Sequence, residues 1–201
     1  MNKVLFTMLI VFLAYSVHGQ TCIHRKLSKK YDFKVNLNRP TPGADDEKIV
    51  VTVDVIDKVS GKKNQEITVK PTFIFSDVFV NCNRVRSYTT GVNQNMESVD
   101  YDFGDLIVAD FNFDSREDFA LKTESGGNAG PSYDFYIQNA DGKFSLDTFL
   151  TNQMGSFPKR IIKSNRTLVT SIHANANQQC ETTYRLDENK WKRIKRRWVT
   201  Y

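Results

Sequence analysis

The sequence predicts an all-β fold of antiparallel sheets, and three observations carry that prediction. The run "KIVVTVDVID" sets Ile49, Val51, Val53 and Val55 on one side and Thr52 and Asp54 on the other, the alternation of a half-buried strand. Turn-forming clusters of Gly, Asn, Asp and Ser separate further short apolar or aromatic runs at regular intervals. No segment sustains a long helical period.

The chain opens on a leader. Lys3 supplies a positive start, "VLFTMLIVFLAY" a short apolar run, and Val17 and Gly19 the small residues of a cleavage site. Residues 1–19 are therefore expected to be a cleaved signal peptide, and 20–201 a single all-β domain in the periplasm or outside the cell. The apolar run is shorter than the ~20 residues a span needs, and no later run is long enough, so no membrane span is expected. Cys22 follows the run closely, but Gly19-Gln20-Thr21 is a poor lipid-attachment box, so lipidation ranks second.

In the mature region, "KIVVTVDVID" is followed by the turn "KVSGKKNQ", and "EITVKPTFIF" resumes an extended pattern with Pro71 at an edge or bend. These two runs read as a hairpin. "SYTTGVNQNMESVDYDFGD" is polar and irregular, a long connection. "LIVA" is a short apolar strand and "DFALKT" a second one. "SGGNAGPS" is a glycine-rich loop, "YDFYIQ" a strand with aromatics, and "NADGKF" a tight Asp-Gly turn. "RTLVTSIHA" and "ETTYRL" are two more strands, with the turn "DENK" after them. "WKRIKRRWVTY" also carries Trp191, Ile194, Trp198 and Tyr201 at helical spacing; the turn before it favours a strand paired with "TTYRL".

The formal charge is +5, and falls to +4 on loss of a leader that holds Lys3 and no acid. So small an excess bears on solubility and not on function, and export makes nucleic acid an unsuitable partner. The cysteines are Cys22, Cys82 and Cys180. An oxidising compartment permits one bridge and leaves one thiol. Cys82–Cys180 is the expected pair, because Cys22 stands near the new terminus, where chains fray.

Between the two central strands lies "DFNFDSREDF", with Asp110, Asp114, Glu117 and Asp118 crowded together. Like charges at that density need compensation. Counted from Asp110, the stretch reads D-x-N-x-D-x-x-x-D: Asp110, Asn112 and Asp114 at the first, third and fifth places, the Arg116 carbonyl at the seventh, Asp118 at the ninth. Oxygen ligands on alternate residues of a tight loop suit Ca²⁺. Zinc would want His or Cys, and Mg²⁺ takes fewer protein ligands. Leu121 stands where an EF-hand needs a bidentate Glu, and strands flank the loop, so it is not an EF-hand. A solvated acidic turn without metal is the plain alternative.

The unit "LIVADFNFDSREDFALKT" resembles the calcium loops of FG-GAP-type β-propeller blades. The longer run through "GGNAGPSYDFYIQNADGKF" is similar to a family of exported bacterial proteins with one such loop and a Gly-Pro-Ser-Tyr segment. That family includes periplasmic immunity-type inhibitors of lysozyme-like, peptidoglycan-degrading effectors delivered by rival bacteria. The resemblance spans Val99 to Phe144 and reaches the last strands loosely. It implies calcium held by Asp110, Asn112, Asp114, the Arg116 carbonyl and Asp118, an incomplete propeller-like domain, and a protein partner of the peptidoglycan-hydrolase class. It places no inhibitory residue. The family's usual glycine after the third ligand is Ser115 here. The metal's expected role is structural, pinning two strands and the glycine-rich loop.

Other segments carry less. His18 leaves with the leader, and His24 and His173 sit in no catalytic pattern; there is no G-x-S-x-G and no H-E-x-x-H. The chain is therefore expected not to be an enzyme. "SGGNAGPSY", Ser125 to Tyr133, lacks the Lys of a phosphate loop and leads into a strand; as a surface loop it is the first candidate for protein contact. Tyr133, Phe135 and Tyr136 read as core and sheet-face residues. "KWKRIKRRW" reads first as a solvated face and second as a meeting surface for an acidic partner, anionic lipid or cell-wall polymer. "NRT" at Asn165 is a glycosylation sequon with meaning only in a eukaryotic pathway. The leading expectation is a monomeric calcium-binding inhibitor of a peptidoglycan hydrolase; the alternative is a calcium-dependent carbohydrate-binding or adhesion module, which predicts Trp191 or Tyr133 exposed on one face.

Overall fold

The computed structural model describes residues 18–39 and 49–200. The expected leader lies outside them apart from His18 and Gly19, which already pair with Arg39 and Asn38.

Three sheets follow one another along the chain. The first holds β1 (His18–His24), β2 (Tyr31–Arg39), β3 (Val50–Asp57) and β4 (Lys63–Val69), each antiparallel to the next. The second holds β5 (Val85–Ser87), β6 (Leu106–Ala109), β7 (Asp118–Glu124), β8 (Ser132–Gln138) and β9 (Phe144–Leu146). Its β5–β6 pair is parallel and the rest antiparallel. The third holds β10 (Arg160–Ile162), β11 (Thr167–Asn175), β12 (Gln178–Asp187) and β13 (Lys190–Thr200), all antiparallel. The fold is thus all-β, in open sheets that are antiparallel meanders apart from the parallel β5–β6 pair, and no sheet closes on itself.

The predicted hairpin is β3–β4, with Gly61 at φ +66° in its turn. The ambiguous last segment is strand β13, and Glu188 and Asn189 take positive φ in the two-residue turn before it. The polar stretch before β6 is the long connection expected. β1 and β2 extend the architecture beyond the sequence reading. In β2, Tyr31, Phe33, Val35 and Leu37 are buried while the residues between them are more open, a plain period of two.

The middle sheet is buried on both faces. On β6 and β7, Leu106, Val108, Phe119 and Leu121 join the core shared with the first sheet. Ile107, Ala109 and Ala120 join a second core with Leu168 and Tyr184 of the third sheet, capped by Leu150, Met154 and Phe157. A strand packed on both faces has no polar side to present, which is why "LIVA" is continuously apolar. Tyr133 and Phe135 are buried in the second core as expected, and Tyr136 in the first.

The disulfide corrects the sequence expectation. Cys22 is bonded to Cys82, with Cα atoms 5.4 Å apart, and Cys180 is a buried free thiol. Cys22 is not in a frayed end: it is buried in β1 in register with Val35, beside the loop that carries Phe79 and Cys82. Cys180 lies on β12 opposite Trp198 of β13, in the third sheet.

Two residues from that bridge, His24 is 8% exposed, and burial holds its imidazole below the usual histidine value. A histidine depressed in the folded state favours unfolding as it is forced to take a proton. Stability is therefore full above the unfolded value of about 6.5 and is lost as pH falls through that value toward the folded one. Urea unfolding at pH of about 7.5 and 5.5 should show this loss in the wild type and a smaller one in His24→Leu.

Candidate metal centre and adjoining cleft

The acidic stretch is the turn between β6 and β7. Asp110 directly follows β6 and Asp118 starts β7, and both are buried. The loop closes on its own backbone. Asp110 accepts from the Asp114 and Ser115 N–H groups at 3.0 and 3.1 Å. Asn112 Oδ1 accepts from Asp114 N–H at 3.2 Å, and its amide donates to Asp114 Oδ2 at 2.6 Å. Asp114 Oδ1 accepts from Arg116 N–H at 2.9 Å. The side chains of Asp110, Asn112 and Asp114 are thereby fastened to the backbone of one short loop.

Asp118 is held differently. It is fully buried and accepts from Phe111 and Asn112 N–H on one oxygen and from Gln138 N–H on the other. Burial pushes its carboxyl up to about 7, against those N–H donors and with the Asp114 charge adding to the rise. Asp118 thus braces the loop and the end of β8 together.

Arg116 was expected to lend only its carbonyl. Its side chain also acts here: Nη2 donates to Asp114 Oδ2 at 2.5 Å and Nε to the Gln138 carbonyl at 2.9 Å. Lys163 Nζ lies 3.7 Å from Asp110 Oδ2. Glu117, which carried no role in the pattern, accepts from Ser28 Oγ, Thr89 Oγ1 and the Lys29 and Lys30 N–H groups. Phe113 packs beside Trp191. The turn therefore ties the β1–β2 connection, the middle sheet and the third sheet at one place.

The residue types suit a hard cation, which takes oxygen ligands: two carboxylates and an amide on one loop, although the Asn112 amide nitrogen and the Arg116 guanidinium both face Asp114 Oδ2. Asp110, Asn112 and Asp114 are the side chains that would hold it. Asp114 would be shared with the Arg116 guanidinium, which already supplies positive charge there. Among the described residues, no three Asp, Glu, His or Cys side chains form a ready-made metal cage.

Ser115 stands where glycine was expected, and the backbone explains why. Its φ is +69°, in the left-handed region that a Cβ disfavours by roughly 1–2 kcal/mol. Ser115→Gly keeps the N–H that Asp110 accepts. It should raise the unfolding free energy by about 0.5–1 kcal/mol after glycine's entropic cost, readable as a higher urea midpoint.

The expectation that this turn also pins the glycine-rich loop does not hold. Ser125–Pro131 joins the far ends of β7 and β8, one strand length away. That loop closes on itself: Gly126 has φ +66°, and a Cβ there would lie 1.9 Å from the Gly130 carbonyl oxygen. It borders an open cleft of about 750 Å³, whose walls include Phe75, Arg84, Asp100, Asp102, Asn128 and His173. Asp100 and Tyr101, at its rim, have positive φ, and the Tyr101 hydroxyl donates to Gln179 Oε1 at 2.6 Å. Backbone strain of this kind gathers at binding sites.

Below the cleft lies a charge cluster that no motif announced. Lys122 Nζ donates to both Asp102 oxygens at 2.8 Å and to Asp105 Oδ1 at 2.9 Å. Arg84 reaches Asp77, Asp102 and Asp105. Asp105 Oδ2 accepts from Phe79 N–H, and the Tyr133 hydroxyl donates to the Gly104 carbonyl.

No family model and no curated protein matches this chain. Among solved structures it is similar to that of a Xanthomonas type IV secretion system related protein, with a TM-score of 0.54 over 90% of this chain and 87% of the other. The two share 17% sequence identity, so the likeness is one of fold. Among the described residues no helix is long and apolar enough to cross a membrane.

Proposed function

We propose that this is an exported, calcium-binding protein that works by binding another protein, and that its partner is a peptidoglycan hydrolase whose cleft it occludes. The observation that carries the reading is the turn Asp110–Asp118, whose carboxylates and amide share one short loop and whose ties to all three sheets suit a cation with a structural role. Calcium there would supply positive charge shared by Asp110, Asn112 and Asp114, stiffening the turn. Binding would fall to the opposite end of the β7–β8 hairpin, where the glycine-rich loop and the strained Asp100–Tyr101 rim border the cleft. The likeness in fold to a secretion-related protein is compatible with export and supports a role outside the cytoplasm.

The carbohydrate-binding alternative predicts aromatics such as Trp191 or Tyr133 exposed on one face. Tyr133 is 1% exposed, and Trp191 is partly buried and stacked on Phe149, so neither offers a sugar platform. Among the described residues Trp198, Phe73 and Phe75 are the exposed aromatics instead, so the alternative rests on them, and saccharide binding abolished by a chelator is what would favour it.

The test is capture and inhibition. The immobilised mature protein should recover a lysozyme-like hydrolase from an extract containing candidates, and the purified pair should show inhibition that saturates at equal stoichiometry. Asn128→Arg, placed in the cleft wall, should weaken it. Recovery of no hydrolase, or inhibition indifferent to calcium chelation and to Asn128→Arg alike, would count against the proposal.

A further inference from the structure

The third sheet ends in an edge that the proposed function does not use. Among the described residues strand β13 pairs only with β12, and no described strand lies beside its outer backbone N–H and C=O groups. It is 11 residues long, where exposed edges are usually kept short. It carries six basic residues and no acid. Only Lys192 and Arg197 have carboxylate partners, Asp187 and Glu181. Lys190, Arg193, Lys195 and Arg196 pair with no carboxylate among the described residues. Between the cations stand two exposed apolar side chains, Ile194 at 46% and Trp198 at 57%, and the Arg196 guanidinium lies over the Trp198 ring at 5.4 Å.

We infer that β13 is a docking edge for an acidic, extended polypeptide segment of a partner protein, added to the third sheet as a further strand. Backbone pairing would supply the affinity and the cations the choice of partner. A second copy of the chain does not fit, because antiparallel pairing of β13 with itself sets basic side chains against basic ones. Lysine on an edge is a known defence against unwanted pairing. Here the same charges that repel a like edge attract an acidic strand, and the exposed Trp198 and Ile194 give its apolar residues something to cover. The inference is independent of the hydrolase reading and of calcium.

The experiment uses the whole mature protein and a fluorescent peptide of alternating Glu and Val, as long as β13. Binding is followed by anisotropy and by the tryptophan emission of the protein. The expected result is saturable binding with a Trp emission shift. A peptide of the same sequence with alternate backbone nitrogens methylated should bind at least about tenfold more weakly, since it cannot pair along the edge. The triple variant Lys190→Glu, Arg193→Glu, Lys195→Glu, checked for an unchanged melting temperature, should lose binding to a similar degree. Equal binding of the methylated peptide would reduce the edge to simple charge attraction and overturn the inference, without bearing on the variant. Failure of the parent peptide to bind, or tighter binding of heparin or of anionic phosphatidylglycerol vesicles than of the peptide, would overturn it as well.

Discussion

Lys122→Met is expected to lower the free energy of unfolding by about 3–5 kcal/mol, the usual cost of removing one partner from a buried charge set. The side chain is 1% exposed and its ammonium bonds two carboxylates, Asp102 and Asp105. Asp105 is itself 3% exposed. Burial already pushes its carboxyl up, although Lys122 and Arg84 pull the other way. For Asp102, burial works in the same upward direction, but Lys122, then the Gly104 N–H and then Arg84 together more than offset it and hold the carboxyl below its usual range. Methionine keeps the apolar stem and deletes the charge, so the loss isolates the electrostatic contribution. Arg84 stays behind as a second cation and places the effect toward the lower end of that range. Urea unfolding of Lys122→Met and of Lys122→Met/Asp105→Asn gives the check. The double variant should regain part of the loss, because the buried carboxylate left alone by the first change is then neutral. A loss below about 1 kcal/mol would mean that the cluster is solvated as surface pairs are.

Cys22→Ser and Cys82→Ser should each destabilise the protein by about 4 kcal/mol, the chain-entropy value for a bridge joining residues 60 apart. The bridge also fastens β1, an edge strand, to the loop at Cys82, so its loss should free that edge. Reductant should reproduce the effect in the wild type and add nothing to either variant. Cys180→Ser replaces a buried thiol that makes no bridge and should keep full sensitivity to reductant. Thermal melts with and without reductant read all four cases. A reductant-insensitive Cys180→Ser protein would instead restore the pairing of Cys82 with Cys180.

How much of this was legible in the sequence follows from how local each feature is. The alternation of Ile49 to Val55 and the turn residues Gly61, Gly142, Glu188 and Asn189 act within a few residues, and the strands around them are where the pattern sets them. "LIVA" reads as a strand, but its burial on both faces depends on which sheets flank it, and those come from distant segments. Cys22 carries no local signal for the same reason: the β1–β2 pairing holds it in a sheet opposite Val35, and its partner Cys82 comes from the distant segment between β4 and β5. Lys122 gives no local signal, since Asp102 and Asp105 reach it only through the register of β6 and β7. In the candidate metal centre, the spacing of Asp110, Asn112 and Asp114 shows that they share one loop. It does not show the guanidinium of Arg116 folding back onto Asp114, nor Glu117 turning outward to the β1–β2 connection. The glycine-rich loop, close in sequence to the acidic turn, lies at the other end of the hairpin because the whole length of β7 separates them.

Calorimetric titration of Ca²⁺ into chelator-treated mature protein, with thermal unfolding recorded in parallel, tests the calcium-loop reading most directly. The wild type should bind the ion and gain about 2.7 kcal/mol of stability at a free concentration a hundredfold above the dissociation constant. Asp114→Ala should lose most of that gain. No heat and no rise in melting temperature, or the same rise in Asp114→Ala, would contradict it and leave Asp110–Asp118 as a turn neutralised by its own N–H groups, Arg116 and Lys163.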